Sequence, residues 1–94
     1  MLIRIVKMSF KPEHHIDFIT QFESKRHLIA ASNGCLGVEL LRDISNPSLF
    51  FTYSTWQSET DLNSYRNSDL FNEVWNTVKQ WFNDKPEAWS VNKV

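Results

Sequence analysis

Apolar residues along this chain change period several times, and each change marks a new element. Leu2 to Phe10 reads Leu-Ile-Arg-Ile-Val-Lys-Met-Ser-Phe, rich in β-branched residues with Arg4 and Lys7 interspersed, which predicts a strand over 2–10. Pro12 suits the first turn of a helix, and Glu13 and Asp17 lie near its positive end. Phe18, Ile19, Phe22 and Ile29 recur on one face at helical spacing, so a helix is expected over about 12–31. Asn33-Gly34 closes it, because glycine adopts the left-handed cap at no steric cost.

A second strand follows over 35–44, and Asp43-Ile-Ser-Asn-Pro47 carries the turn chemistry that leads into a third over 49–56. These two form a hairpin. Ser58-Glu-Thr-Asp61 resembles a capping box and opens a short helix through Arg66. Ser68 caps a longer one to about Phe82, Pro86 prevents continuation, and 88–93 reads as a last strand. Strand, helix, two strands, helices, strand is the split β-α-β order of an α+β, ferredoxin-like fold. It predicts a single domain over 1–94 with a four-stranded antiparallel sheet and helices on one face.

The other face of such a sheet is polar when it meets water. Here it is not. Strand 49–56 sets Leu49, Phe51 and Tyr53 on one side and Phe50 and Trp56 on the other. Strand 35–44 sets Leu36, Val38 and Leu40 against Cys35 and Leu41. Two apolar faces imply a partner for the second, and a homodimer packed sheet to sheet is expected. Composition agrees: 94 residues form a small core, yet 41% are hydrophobic and 14% aromatic, with four Trp and seven Phe.

Net charge is −1 and the ten basic residues are scattered, so no nucleic-acid footprint is present. One Cys allows no intrachain disulfide and fits a reducing compartment. The first seven residues carry charges inside their apolar run, unlike a signal peptide or membrane span. A cytoplasmic location without membrane partners is expected.

Trp56-Gln-Ser-Glu59 at the end of a strand, followed by Leu62, Tyr65, Ser68, Leu70 and Phe71, resembles the antibiotic biosynthesis monooxygenase family. Leu40-Leu-Arg-Asp43 and Phe50-Phe-Thr-Tyr53 add to the likeness, which covers nearly the whole chain; Gln57 stands where the family usually has Glu. The resemblance implies a dimeric α+β barrel. It also implies one of two chemistries: oxidation of quinols or anthrone-like polyketides by oxygen without a cofactor, or haem degradation. The haem-degrading members' ligand His falls at Trp75, their Trp at Tyr65, and strand 2–10 has no Asn, so that branch is not matched. The His residues of quinol-oxidising members fall at Tyr65 and Leu70. The Asn and Tyr of a polyketide-oxidising relative fall at Thr52 and Leu62, and only Trp56 is retained.

Cofactor-free oxygenation needs a base or cation to favour the substrate anion, flat walls for its ring, and exclusion of water. Trp56, Tyr65, Trp75 and Tyr53 are the candidate walls, the plainer alternative being that they fill the core and the dimer interface. On the third helix Leu70 to Phe82 place apolar residues over roughly 140°, with Trp75 at the edge. His15 and Arg26 share the apolar stripe of the first helix and are the candidate base and anion partner. The alternative for both is a stripe-edge side chain reaching solvent. Arg42 reads as a snorkelling strand-end residue. No metal and no cofactor are expected: His14 and His15 are about 100° apart on a helix, and Glu23/His27 is a common surface pair. The leading expectation is a cofactor-independent monooxygenase acting on a small aromatic, quinol or polyketide-like molecule. The alternative is a non-enzymatic homodimeric ligand-binding or structural module.

Overall fold

The computed structural model describes residues 1–94. Strand β1 is Leu2–Ser9, helix α1 His15–Ala30, β2 Cys35–Arg42, β3 Leu49–Trp56, α2 Glu59–Arg66, α3 Asp69–Val78 and β4 Glu87–Val91, with single 3-10 turns at Pro12–His14 and Lys79–Trp81. The four strands form one antiparallel sheet in the order β2-β3-β1-β4. This is the ferredoxin-like α+β arrangement that the order of elements predicts.

Boundaries differ where tertiary contacts override local pattern. The expected helix over 12–31 begins as a 3-10 turn and becomes α-helical only at His15. The third helix stops at Val78 rather than continuing to Phe82. Lys11 N–H donates to Trp81 O at 3.0 Å, Asn83 N–H to Ser9 O at 3.1 Å, and Phe82 bridges Phe10, so this segment is drawn onto the end of β1. The hairpin strand ends at Arg42, where Asp43 Oδ2 accepts from Ser45 N–H and Asn46 N–H at 3.0 and 2.7 Å and forms the turn.

Both serine caps form. Ser58 Oγ accepts from Asp61 N–H at 3.1 Å and donates to the Asp61 carboxylate at 3.0 Å, while Ser68 Oγ accepts from Phe71 N–H at 3.2 Å. Gly34 closes α1 at φ +79°, and a Cβ there would run into the Asp61 side chain. Gly34 O also accepts from Gln57 N–H at 2.8 Å. Glycine at 34 therefore seats the start of α2 against the end of α1.

Register assigns the faces. Arg4, Val6 and Met8 of β1 align with Ser54, Thr52 and Phe50 of β3 on the helix side, and Val38 and Leu40 of β2 align with Ser54 and Thr52. A bulge between Cys35 and Gly37 alters the expected alternation in β2: Cys35, not Leu36, takes the position opposite Trp56. Leu36 is consequently half-exposed. The core centres on Met8, Phe10, Phe18, Phe50 and Val78, with Phe22, Ile29 and Val38 forming a second cluster under α1. The opposite face carries Ile3, Ile5, Leu41, Phe51, Tyr53, Trp89 and Val91. No helix is long and apolar enough to cross a membrane.

Candidate functional site

Sheet and helices do not close completely on one another. Between them lies a cavity of about 390 Å³, and 14 of its 21 lining residues are hydrophobic. Its volume falls in the range of about 300–1,000 Å³ usual for small-molecule pockets. The sheet contributes Val6, Thr52 and Ser54, α2 contributes Leu62, Tyr65 and Arg66, α3 contributes Phe71, Val74 and Trp75, and the segment Pro86–Ala88 forms one edge.

Local sequence explains the aromatic wall. The cap at Ser68 separates α2 from α3 and lets Tyr65 and Phe71 meet edge to face, their ring centroids 5.4 Å apart. Tyr65 stacks on Trp56 at 5.2 Å, and Phe71 stacks on Trp75 at 5.9 Å. Trp75 in turn meets Phe82 edge-on at 5.6 Å. Trp56 has no exposed surface and donates its Nε1–H to Ser54 Oγ at 2.9 Å. It supports the wall from behind, whereas Tyr65, Phe71 and Trp75 retain exposed surface within it.

Three of the four aromatic candidates, Trp56, Tyr65 and Trp75, thus gather around one cavity. Tyr53 does not. It points from the opposite face of the sheet, beside a shallow depression with Ile3 and Thr55. The two polar candidates also lie outside the cavity, which corrects the expectation that either would serve as its base or cation. His15 is tied to the Ser9–Leu49 end of the sheet, with Nε2 2.9 Å from Ser48 Oγ and 3.3 Å from Phe10 O. Arg42 Nη2 lies 3.1 Å from His15 Nδ1, and because a guanidinium only donates, Nδ1 accepts and Nε2 carries the proton. Arg42 further donates Nε–H to Pro47 O at 2.8 Å and lies 4.7 Å from the Phe50 ring centre. The cluster fastens the hairpin turn to α1. Arg26 is partly exposed, 3.4 Å from Glu23 and 5.7 Å from the centre of the Phe22 ring. Helical spacing puts both residues near the apolar stripe, and Phe18, Phe22 and Ile29 of that stripe do line the cavity. His15 lies before the first of these lining residues, and Arg26 turns aside at the stripe's edge toward Glu23.

The cations at the cavity are instead Arg4 and Arg66, neither of which periodicity singles out, and Glu87 is its one carboxylate. Arg4 stands on the helix side of β1 between Leu2 and Val6, and its Nη1–H donates to Ser90 Oγ at 3.0 Å. Partial burial, and then the positive charge of Arg66, act against its protonated form. A guanidinium nevertheless stays charged at neutral pH. The missed signal was a lone Arg on the inward-facing alternation of a strand.

Tyr65 is a donor rather than a base. Burial, reinforced by nearby Cys35, pushes its phenol from 10.0 up to about 12. Burial likewise raises the Cys35 thiol and makes it a poor nucleophile. The unfolded chain ionises Tyr65 near its ordinary value, so the stability that its protonated form confers is complete below about pH 10. It is lost as pH rises toward 12, at most about 3 kcal/mol at roughly 1.4 kcal/mol per pKa unit. Urea unfolding at pH 9 and pH 11.5 checks this: Tyr65→Phe is expected to flatten the alkaline loss, and an unchanged loss in the variant would refute the assignment.

The sequence pattern of the antibiotic biosynthesis monooxygenase family matches residues 1–77. A crystal structure of an antibiotic biosynthesis monooxygenase superposes with a TM-score of 0.92 at 17% identity, covering 100% of this chain and 99% of that one. A conserved protein from Methanosarcina mazei Go1 gives a TM-score of 0.92 at 23% identity, covering 100% and 94%. In sequence, a Halobacterium salinarum protein named "Putative heme-binding protein" is 26% identical over 76 residues, which is 81% of this chain and 15% of that protein. A Haloarcula marismortui protein of the same name is 29% identical over 76 residues, 81% of this chain and 11% of the other. This chain therefore spans only a small part of these relatives.

The donor chemistry of the cavity does not fit haem iron. No His or Cys is among its lining residues, Met8 is packed into the core, and the Tyr65 phenol resists ionisation. What the sequence pattern and the superposed folds establish jointly is kinship: the chain belongs to the antibiotic biosynthesis monooxygenase family.

Proposed function

We propose that this chain is a cofactor-independent oxygenase of a small aromatic substrate, of quinol or anthrone type, working as a homodimer. The observation that carries the reading is an apolar cavity with an aromatic wall and two guanidinium groups at its edge. Such a substrate supplies its own electrons. Loss of a proton gives an anion that reduces oxygen; with an anthrone, the activated CH₂ becomes C=O. One oxygen atom enters the product, the other leaves as water, and all four electrons come from the substrate.

The residues divide this work. Arg4 and Arg66 favour the anion electrostatically, since a nearby cation lowers the cost of ionising the substrate. Tyr65 offers a hydrogen-bond donor to the developing oxyanion. Tyr65, Phe71 and Trp75 hold the ring and exclude water. No histidine stands in for the base expected at His15, and the one lining carboxylate, Glu87, is paired with Lys7, so the proton passes to solvent at the mouth and the reaction suits an acidic C–H or O–H.

Oxygen uptake by the purified protein, freed of metals and flavins, against naphthoquinols and anthrones tests this. Uptake above the autoxidation blank is expected, falling at least about tenfold in Arg4→Gln, the scale of a charge-assisted hydrogen bond. Arg26→Ala is expected to leave it unchanged. Binding of these compounds with no uptake would favour the ligand-binding module instead.

A further inference from the structure

We propose that Arg4 and Arg66 form a carboxylate-binding site at the cavity's edge, and that the ligand is an aromatic acid. Its ring would lie inward along Tyr65, Phe71 and Trp75, with its carboxylate on the two guanidiniums. This deepens the oxygenase reading, resting on the same cavity, and names the chemical class that the cavity selects.

The first ground is the charge pattern. Three Lys or Arg ion pairs form in the chain, Lys7–Glu87, Lys25–Glu73 and Arg26–Glu23, and His14 hydrogen-bonds Asp17. Neither Arg4 nor Arg66 has an acidic partner. Glu87 is the only carboxylate among the lining residues, and it lies 3.7 Å from Lys7. Two guanidiniums are thus held at one opening with no carboxylate paired to either. An incoming anion relieves their repulsion and gains two attractions.

The second ground is placement. Arg4 occupies the inward alternation of β1 with Leu2, Val6 and Met8, aligned with Ser54 on one side and Ser90 on the other. A cation on such a row needs compensation, because partial burial removes water without supplying an anion. Its one side-chain partner is the neutral Ser90 hydroxyl, which occupies one of five N–H donors. Arg66 ends α2, where the helix dipole favours a cation. That accounts for a basic residue at 66 but not for its proximity to Arg4. Guanidinium is also the group whose planar donor fork matches a carboxylate.

The test compares two probes with one ring, 2-naphthoate and its neutral analogue 2-naphthamide, by calorimetry on the intact protein. Naphthoate is expected to bind at least about tenfold more tightly, the scale of charge-assisted hydrogen bonding. In the Arg4→Gln/Arg66→Gln variant it should fall to the affinity of the amide, whose own binding stays unchanged and reports an intact cavity. Arg26→Gln should preserve the preference. Equal affinities, or a preference that survives the double substitution, would overturn the carboxylate site while leaving the cavity standing. Failure of both probes to bind would overturn the cavity reading, and the inference with it. Oxygen uptake plays no part in this measurement, so loss of the oxygenase reading alone would be recognised separately.

Discussion

Replacing Trp56 with alanine is expected to cost about 3–5 kcal/mol, the range for removing a large aromatic from a packed core. Trp56 has no exposed surface, stacks on Tyr65 at 5.2 Å, and gives its indole N–H to Ser54 at 2.9 Å. The substitution empties that space and leaves the buried Ser54 hydroxyl without its donor, which adds desolvation to the packing loss. Only 11 of the 94 residues are buried, so few neighbours remain to fill the gap. A domain of this length has roughly 5–14 kcal/mol of stability in all, and the variant should lose a large share of it. Urea unfolding followed by circular dichroism, at one fixed protein concentration, reads the change. A loss under about 1 kcal/mol would mean that this end of the core is not packed as described.

The second large effect is on assembly. On the face of the sheet away from the helices, Ile5 stands between Tyr53 and Trp89, and Phe51 between Leu41 and Lys7. Leu41, Trp89 and Val91 keep more than two-fifths of their surface exposed. If that face is covered by a second copy, the Ile5→Lys/Phe51→Lys variant places four unpaired ammonium groups in each interface. Burying unpaired charge costs several kcal/mol, so dimer affinity should fall at least about a thousandfold. Light scattering coupled to size exclusion should show a wild-type dimer and a folded monomeric variant. A monomeric wild type at tens of micromolar, or a variant that stays dimeric, would count against the sheet-to-sheet pairing.

Much of the architecture was legible because local rules and the fold agree. Pro12, the serines at 58 and 68, and Gly34 each mark a helix end through the groups they bond or the conformation they allow. The misplaced residues have physical reasons. Strict alternation sets Leu36 on the face of Val38 and Leu40 because it takes no account of a bulge. Phe82 was assigned to a helix because its spacing suits one, but its backbone joins β1 through a bridge to Phe10. His15 and Arg26 share a stripe with core residues, yet spacing alone does not reveal that the hairpin turn captures His15 or that Arg26, at the stripe's edge, turns aside to Glu23. Arg4 and Arg66 lay furthest from reach: β1 and the end of α2 come together only when the sheet and its helices pack. Trp56, Tyr65 and Trp75 were found as a group because large aromatics on three adjacent elements of so small a domain have few places to go.

The position of β4 carries a consequence for how the chain acquires its shape. The hairpin pair Leu41 and Phe51 are 10 positions apart, 51 minus 41, whereas Ile3 and Val91 are separated by 88, 91 minus 3. Loop-closure entropy grows with the logarithm of that separation, so docking β4 costs about 2 kcal/mol more than closing the hairpin. The strand is five residues long and lies at the edge of the sheet, bonded to β1 alone. Entropy therefore favours the hairpin as the early event and the docking of β4 as a late one. Pro86, Glu87 and Ala88 form the cavity's edge, so the hollow gains that border only when the most distant pairing in the sheet is made.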